Sequence, residues 1–117
     1  REIEKRYGAQ GLHANAVHPG GIITELGRHL PKEVMDGLFV KYESILKSIP
    51  CGAATSVWAA CAKEFEGCGG YYLEDCSHSH ALDAPVGGTT GYLTRVYDED
   101  SALRLYDLSL KLVGLQN

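Results

Sequence analysis

Apolar and polar residues alternate along the chain in patterns that change from strand spacing to helix spacing. Residues 12–18 are small and largely apolar on both faces, which is typical of a strand covered on both sides in a parallel sheet. Pro19 ends this strand because it has no backbone donor, and two glycines follow it. We expect residues 12–24 to organise the chain, since open α/β sheets bind ligands at the carboxyl ends of their strands.

Helical spacing of apolar residues predicts five further segments. They cover residues 1–6, a short stretch before Pro31, about 32–47, 51–65 and about 98–113. The segment over 51–65 has a face of mostly small residues that allows close packing on a sheet, made of Ala53, Ala54, Val57, Trp58, Ala60 and Cys61. The last segment begins with acidic residues, as suits a helix dipole, and we expect its many leucines to be buried against the sheet.

A second strand is predicted over residues 71–75, where aromatic and apolar side chains precede two acidic ones. Residues 76–91 are rich in Ser, His, Gly, Thr and Pro, which predicts a loop. Two strands separated by helices indicate the α/β class, with parallel strands joined by crossovers. Because two strands alone do not form a stable sheet, we expect further strands outside this sequence, and hence a larger protein.

The composition of the chain argues against some classes of partner and some locations. The 117 residues predict one domain or less, and 15 acidic against 11 scattered basic residues argue against nucleic-acid binding. The longest stretch without a charged residue, 7–24, contains Asn, His, Pro and Gly, so it does not predict a membrane span. The chain begins with Arg and has no leader pattern, which favours the cytoplasm. The four cysteines form no C-x-x-C pair, and we expect buried or partly buried free thiols: Cys51, Cys61, Cys68 and Cys76.

The glycine turn after the first strand is the main candidate site. Glycines allow a ligand to approach the backbone closely, and the hydroxyl of Thr24 can donate and accept a hydrogen bond. An ordinary turn in which Thr24 only caps a helix would have the same residues. His18, directly before Pro19, is either a base or, as the pattern favours, a packed histidine.

The start of the predicted loop has three residues of the kinds that bind metals. Zinc takes ligands such as Cys76, His78 and His80. No fourth ligand follows at a recognisable spacing, and the surrounding residues are polar. A solvated loop without a metal is therefore the expectation.

The candidate turn resembles a motif of the short-chain dehydrogenase/reductase family, in which Pro-Gly, a few residues and Thr follow the sixth strand. Residues 70–75 resemble the family's seventh strand, and a Gly-Ala-Ala at 52–54 opens the helix before it. Residues 102–109 resemble the final helix of the branch that includes retinol dehydrogenases and the WW-domain-containing oxidoreductase. The motif itself reads His18-Pro19-Gly20-Gly21-Ile22-Ile23-Thr24.

This resemblance implies that residues 1–117 are the C-terminal part of a single NAD(P)-binding domain, a Rossmann-type doubly wound parallel sheet. It implies a cofactor, NAD or NADP, with Ile22 against the nicotinamide ring and contacts from Pro19, Gly20, Gly21, Ile22 and Thr24. It also implies a substrate lid over about residues 25–49, although the same apolar face could simply pack on the core. Its pocket would suit a lipophilic alcohol or carbonyl compound and be shaped by Val34, Met35, Leu38, Phe39 and Tyr42.

The family's glycine-rich phosphate turn, catalytic Ser and Tyr-x-x-x-Lys have no counterpart in this sequence. No Tyr lies four residues before a Lys, and Tyr42 and Lys47 are five residues apart. The resemblance therefore implies a fragment of an NAD(P)-dependent oxidoreductase that interconverts an alcohol and a carbonyl, with no catalytic residue in this chain. The alternative is a truncated, non-catalytic interaction or pseudogene product, with exposed apolar surface from Leu12 onward. The sequence does not decide between NAD and NADP. It is compatible with a monomer and with a homo-oligomer.

Overall fold

The computed structural model describes residues 1–82 and 90–115, which form an arrangement of helices and short strands. The α-helices are α1 (Glu2–Tyr7), α2 (Lys32–Tyr42), α3 (Ile49–Cys61) and α4 (Glu99–Leu112). The strands are β1 (Ala16–His18), β2 (Gly21–Ile22), β3 (Leu46–Lys47), β4 (Tyr72–Glu74), β5 (Ser77–His78), β6 (Ala81–Leu82) and β7 (Tyr92–Leu93). The predicted α/β class is confirmed.

The two predicted strands pair with each other as expected. β1 and β4 are parallel, with Val17 opposite Leu73 and His18 opposite Glu74, and β5 adds to the far side of β4 in the antiparallel sense. Leu73, in the central strand, is fully buried. The parallel pair is joined by a crossover that contains α2 and α3, as parallel strands require.

Helix α3 packs against β1, β2 and β4, as predicted, but the predicted face was wrong, because Ala53, Val57, Ala60 and Cys61 are exposed. Ser48 caps it by accepting a hydrogen bond from the Cys51 amide at 3.4 Å, and Pro50 occupies the first turn. Gly52 and Thr55 are its buried residues. Small side chains on this face thus bring the helix backbone close to the strands.

Both predicted strands are shorter than expected. β1 begins only at Ala16, because the Asn15 side chain accepts a hydrogen bond from the Tyr71 amide at 3.1 Å in place of a backbone group. β4 ends at Glu74, since the backbone turns left-handed immediately afterwards, with φ of 51° at Asp75 and 52° at Cys76. The pattern of apolar side chains does not predict the late start of β1 or the early end of β4.

The prediction of one helix over residues 32–47 was wrong at its end. Helix α2 stops at Tyr42, a 3₁₀ turn covers Glu43–Ile45, and β3 then pairs in parallel with β2. The short helix expected before Pro31 is a 3₁₀ helix over Glu25–His29. Short apolar runs suit a helix and a strand equally well, which explains why β3 was missed.

The helix predicted over residues 51–65 also has different ends. It starts at Ile49 and ends at Cys61, because Ala62 is extended with φ of −75° and ψ of 132°. A 3₁₀ turn over Lys63–Phe65 follows and buries Phe65.

The segment predicted to be a loop contains strands. β5 and β6 lie within residues 76–91, and β6 pairs in parallel with β7, while residues 83–89 lie outside the described part. Glu74, only 4% exposed, ties this segment down, because it accepts hydrogen bonds from Ser79 Oγ at 2.8 Å and the Gly91 amide at 2.7 Å. A buried carboxylate with two donors is satisfied rather than destabilising.

The prediction that α4 is buried against the sheet was wrong. Helix α4 contacts α1, where the hydroxyls of Tyr7 and Tyr106 are 3.1 Å apart and Arg6 lies 3.7 Å from Asp107. No α4 residue is buried within the described part of the chain. Asp98 caps α4 by accepting a hydrogen bond from the Ser101 amide at 2.6 Å, which lowers the pKa of that carboxyl.

The four cysteines are free, but the expected burial, complete or partial, holds only for Cys68. Cys51, Cys61 and Cys76 are exposed, and Cys68 is half-buried. Among the described helices, none combines the length and the apolar composition that a membrane crossing needs.

We expect Leu73→Ala to lower the free energy of unfolding by about 3 kcal/mol, because it leaves a cavity in the central strand. Urea unfolding of the protein at its native length measures the change. The matched control is Leu112→Ala, which removes the same atoms from a residue that is 76% exposed and should change stability by less than about 0.5 kcal/mol. Equal losses in both variants would contradict the assignment of Leu73 to the core.

Candidate functional site

The turn between β1 and β2 contains the residues predicted to meet a ligand. Gly20 has φ of +90°, in the left-handed region that favours glycine. A Cβ added at Gly20 would lie 2.8 Å from the end of the Lys47 side chain, which would have to move, and the backbone would be strained at this φ. Gly21 pairs with Leu46 and begins β2. The turn thus separates the two strand pairs, and Gly21 is exposed.

Ile22 follows the turn and packs against α3. A Cβ added at Gly52 would lie 2.6 Å from the side chain of Ile22 and 3.7 Å from the Pro19 carbonyl oxygen. Gly52 therefore admits Ile22 into close contact with the helix backbone. Helix α3 thus packs against the turn, and Ile22 also lines a cavity on the other side.

Thr24 is extended and caps the 3₁₀ helix over Glu25–His29. Its Oγ1 accepts a hydrogen bond from the Leu26 amide at 3.3 Å. The capping role considered from the sequence is thus present. A threonine hydroxyl has one hydrogen to donate in addition, and the cap does not use it.

One cavity of about 600 Å³ lies between the turn and α2. Four of the residues predicted to bind a cofactor line it, and so do three of those predicted for a lid. They are Gly20, Gly21, Ile22 and Thr24 from the turn, and Met35, Leu38 and Tyr42 from the lid. Residues far apart in the sequence thus meet around one space.

The other predicted site residues lie outside the lining. Pro19 is exposed at the turn, and Val34 and Phe39 on α2 are 46% and 47% exposed. These three therefore have no contact with the cavity in this structure. Their assignment from the sequence stays a prediction.

Sequence reasoning missed part of the lining. Ile45 and Leu46 lie within the predicted lid but were not among its pocket residues, and they line the cavity because α2 ends at Tyr42 and β3 then pairs with β2. Gly27 lines it as well, and a Cβ there would be 2.7 Å from the Met35 sulfur. The position of Gly27 shortly before an apolar helix was the sequence signal for its close packing with Met35.

The cavity is apolar with few polar groups. None of its described lining residues is Asp, Glu, Lys or Arg, and the polar side chains are those of His18, Thr24 and Tyr42. Pockets of this kind bind small molecules through apolar contact, while a few polar groups fix their orientation. The cavity is thus suited to an apolar ligand with a polar end.

Perturbed tyrosines lie away from this cavity. Burial raises the pKa of Tyr72, and the nearby Glu74 raises it further. The hydrogen bond with Tyr7 raises the pKa of Tyr106, and the neighbouring Cys68 raises the pKa of Tyr71. These shifts arise from packing around β4 and from the contact between α1 and α4.

The histidines considered for a metal have other partners. His78 Nε2 is 3.8 Å from a Glu64 carboxylate oxygen, and His80 Nδ1 is 3.8 Å from Glu74. The Cys76 amide donates to Thr55 Oγ1 at 3.2 Å. Within residues 1–82 and 90–115, no group of three or more Cys, His, Asp or Glu is arranged to hold a metal ion.

Several curated relatives match nearly all of this chain. The short-chain dehydrogenase/reductase prx1 of Penicillium roqueforti is 43% identical over 118 residues, 97% of this chain and 34% of the relative. Human retinol dehydrogenase 14 is 32% identical over 117 residues, 98% of this chain and 32% of the relative. The chain belongs to the short-chain dehydrogenase/reductase family. The WW domain-containing oxidoreductase of Danio rerio is 34% identical over 113 residues, 96% of this chain and 24% of the relative.

This short-chain dehydrogenase/reductase chain spans about a third of the length of the first curated relatives that it matches. No family model matches the chain. No solved structure matches it either. The predicted resemblance to the family, with its retinol dehydrogenase branch, is confirmed by the curated relatives.

We expect Gly20→Ala to lower the free energy of unfolding by about 1–2 kcal/mol, because alanine is strained at a positive φ. Urea unfolding checks this. Gly21→Ala is the control: its φ is not positive, and its new Cβ would lie 3.4 Å from Leu46, so the loss should be smaller. Equal effects would show that the left-handed turn is not what selects Gly20.

Proposed function

We propose that this chain forms one wall of the cofactor and substrate site of an NAD(P)-dependent oxidoreductase that interconverts an alcohol and a carbonyl. The observation that carries the proposal is the shared cavity of about 600 Å³ between the glycine turn and α2. Membership of the short-chain dehydrogenase/reductase family supports the reaction class. The relatives' greater length makes the activity a property of the protein at its native length.

The turn would hold the nicotinamide end of the cofactor. Gly20 would set the left-handed shape of the turn, exposed Gly21 would let the cofactor approach the backbone, and the Thr24 hydroxyl would donate a hydrogen bond to the cofactor. Ile22, braced by Gly52, would present an apolar surface to the nicotinamide ring. When bound, the cofactor would supply the hydride transfer, and these residues would orient it.

The far side of the cavity would take the substrate. Met35, Leu38 and Tyr42 line it from α2, and the apolar lining favours a lipophilic small molecule with one oxygen at its polar end. Residues about 25–49 would then act as the lid, with Val34 and Phe39 joining the pocket when it closes. The name of one relative, retinol dehydrogenase 14, refers to an alcohol of this chemical kind.

Proton transfer would come from residues that this chain does not supply. The sequence has no Tyr four residues before a Lys, and the cavity lining has no carboxylate or lysine in its described part. A positioned side chain must nevertheless give or take the hydroxyl proton during alcohol–carbonyl interconversion. We therefore assign that group to the rest of the native protein.

The intact mass of the protein from its native source tests this division of roles. We expect at least about twice the 12.7 kDa of this chain, since the matched relatives are about three times as long. A mass of 12.7 kDa would exclude dehydrogenase activity in practice. It would favour a truncated, non-catalytic chain that acts by interaction.

Thr24→Val should weaken binding of NADH or NADPH by about threefold to tenfold, because it removes one hydrogen bond to the cofactor. Titration of nicotinamide fluorescence in the native-length protein measures the affinity. Thr24→Ser keeps the hydroxyl and is the control, with affinity within about twofold of the wild type.

The melting temperature without nucleotide separates the two roles of Thr24. Loss of the cap lowers stability whether or not nucleotide binds, whereas loss of the cofactor bond lowers affinity. Full affinity in Thr24→Val would contradict the cofactor role.

A further inference from the structure

The glycine turn stands between two separate strand pairs. The chain enters it from β1, which pairs with β4, and leaves it in β2, which pairs with β3. The two pairs belong to different sheets in the described part of the chain. The shape of the turn therefore depends on what holds the pairs relative to each other.

An ion pair joins the partner strands on the two sides of the turn. Lys47 is the last residue of β3 and lies opposite Ile22, while Asp75 directly follows Glu74 at the end of β4. Lys47 Nζ contacts Asp75 Oδ1. The Lys47 side chain is 25% exposed and that of Asp75 is 51% exposed, so solvent screens the pair only in part.

The Lys47 side chain also lies against the turn itself. A Cβ added at Gly20 would come within 2.8 Å of its Cδ, Cε and Nζ atoms. The lysine therefore covers the left-handed residue of the turn with its hydrocarbon part while its ammonium group reaches Asp75. The same side chain thus contacts the turn and bridges it.

Asp75 is held in place from α3. Asp75 and Cys76 both have positive φ, and the Cys76 amide donates to Thr55 Oγ1 at 3.2 Å. Thr55 is 1% exposed, on the helix that also braces Ile22 through Gly52. Non-glycine residues at positive φ are uncommon and persist where surrounding contacts fix them. The backbone that carries the Asp75 carboxylate is therefore held in place by α3.

We propose that Lys47 and Asp75 are positioning residues, which hold residues 20–24 in the geometry that binds the dinucleotide. This inference rests on the proposed function. The ammonium group of Lys47 is already paired with a carboxylate, which favours a positioning role over direct contact with a cofactor phosphate. The two roles give different results when each partner is changed separately.

The test uses Lys47→Met, Asp75→Asn and the double variant in the native-length protein, with NADH and NADPH as probes. Methionine keeps the length of the side chain, and asparagine tolerates positive φ as aspartate does. Each single variant should weaken nucleotide binding by about threefold to fivefold, as expected for a partly screened pair. The double variant should be no weaker than either one, and Lys47→Arg should bind within about twofold of the wild type.

The control is Lys5→Met, which removes the same charge from the exposed pair of Lys5 and Glu99, 3.4 Å apart between α1 and α4. Its affinity should not change. An equal loss in Lys5→Met would overturn the proposal. So would additive losses in the double variant, or a loss in Lys47→Met without one in Asp75→Asn, which would indicate a phosphate contact.

Amide hydrogen exchange without nucleotide separates this inference from the proposed function. Lys47→Met should exchange faster than the wild type at Gly21 and Ile22, with Leu73 unchanged. If the wild type binds neither nucleotide, the proposed function fails, and exchange alone decides whether the pair holds the turn. Unchanged exchange at the turn would overturn the positioning role.

Discussion

The close approach of α3 to the glycine turn is the constraint on which the site depends. Gly52 has no side chain, so Ile22 packs directly on the helix and the Pro19 carbonyl lies near it. Three residues further along α3, buried Thr55 fixes the end of β4 through the Cys76 amide. One helix thus sets both the start of β2 and the end of β4. A side chain at position 52 would displace Ile22, and with it the wall of the cavity.

The parts of the fold that could be predicted are those with a strong local signal. The strands β1 and β4, the helix α3 and the acidic start of α4 each follow from residue types in fixed order. The glycine turn was recognisable because Pro, Gly and Thr carry distinct backbone and hydrogen-bonding properties. These signals lie within single segments, so they do not need knowledge of the partner segment.

Features that depend on a distant partner could not be predicted in the same way. β3 is a strand because β2 pairs with it, whereas its own residues continue the helical spacing of α2. Asn15 replaces a strand hydrogen bond only because the Tyr71 amide lies opposite. Helix α4 packs on α1 through Tyr106 and Tyr7, and no spacing within α4 distinguishes that contact from one with a sheet. The Lys47–Asp75 pair joins residues 28 positions apart and has no local pattern at all.

The capping role of Thr24 and its proposed cofactor role are compatible in hydrogen-bonding terms. The cap uses one lone pair of Oγ1, which accepts from the Leu26 amide, so the hydroxyl hydrogen stays available to donate. The cap also fixes the orientation of the side chain beside the cavity before any ligand arrives. A group that is already oriented loses less conformational entropy on binding. The cap therefore strengthens the case for Thr24 as a ligand-binding residue, because the bond that stabilises the turn also prepares the donor.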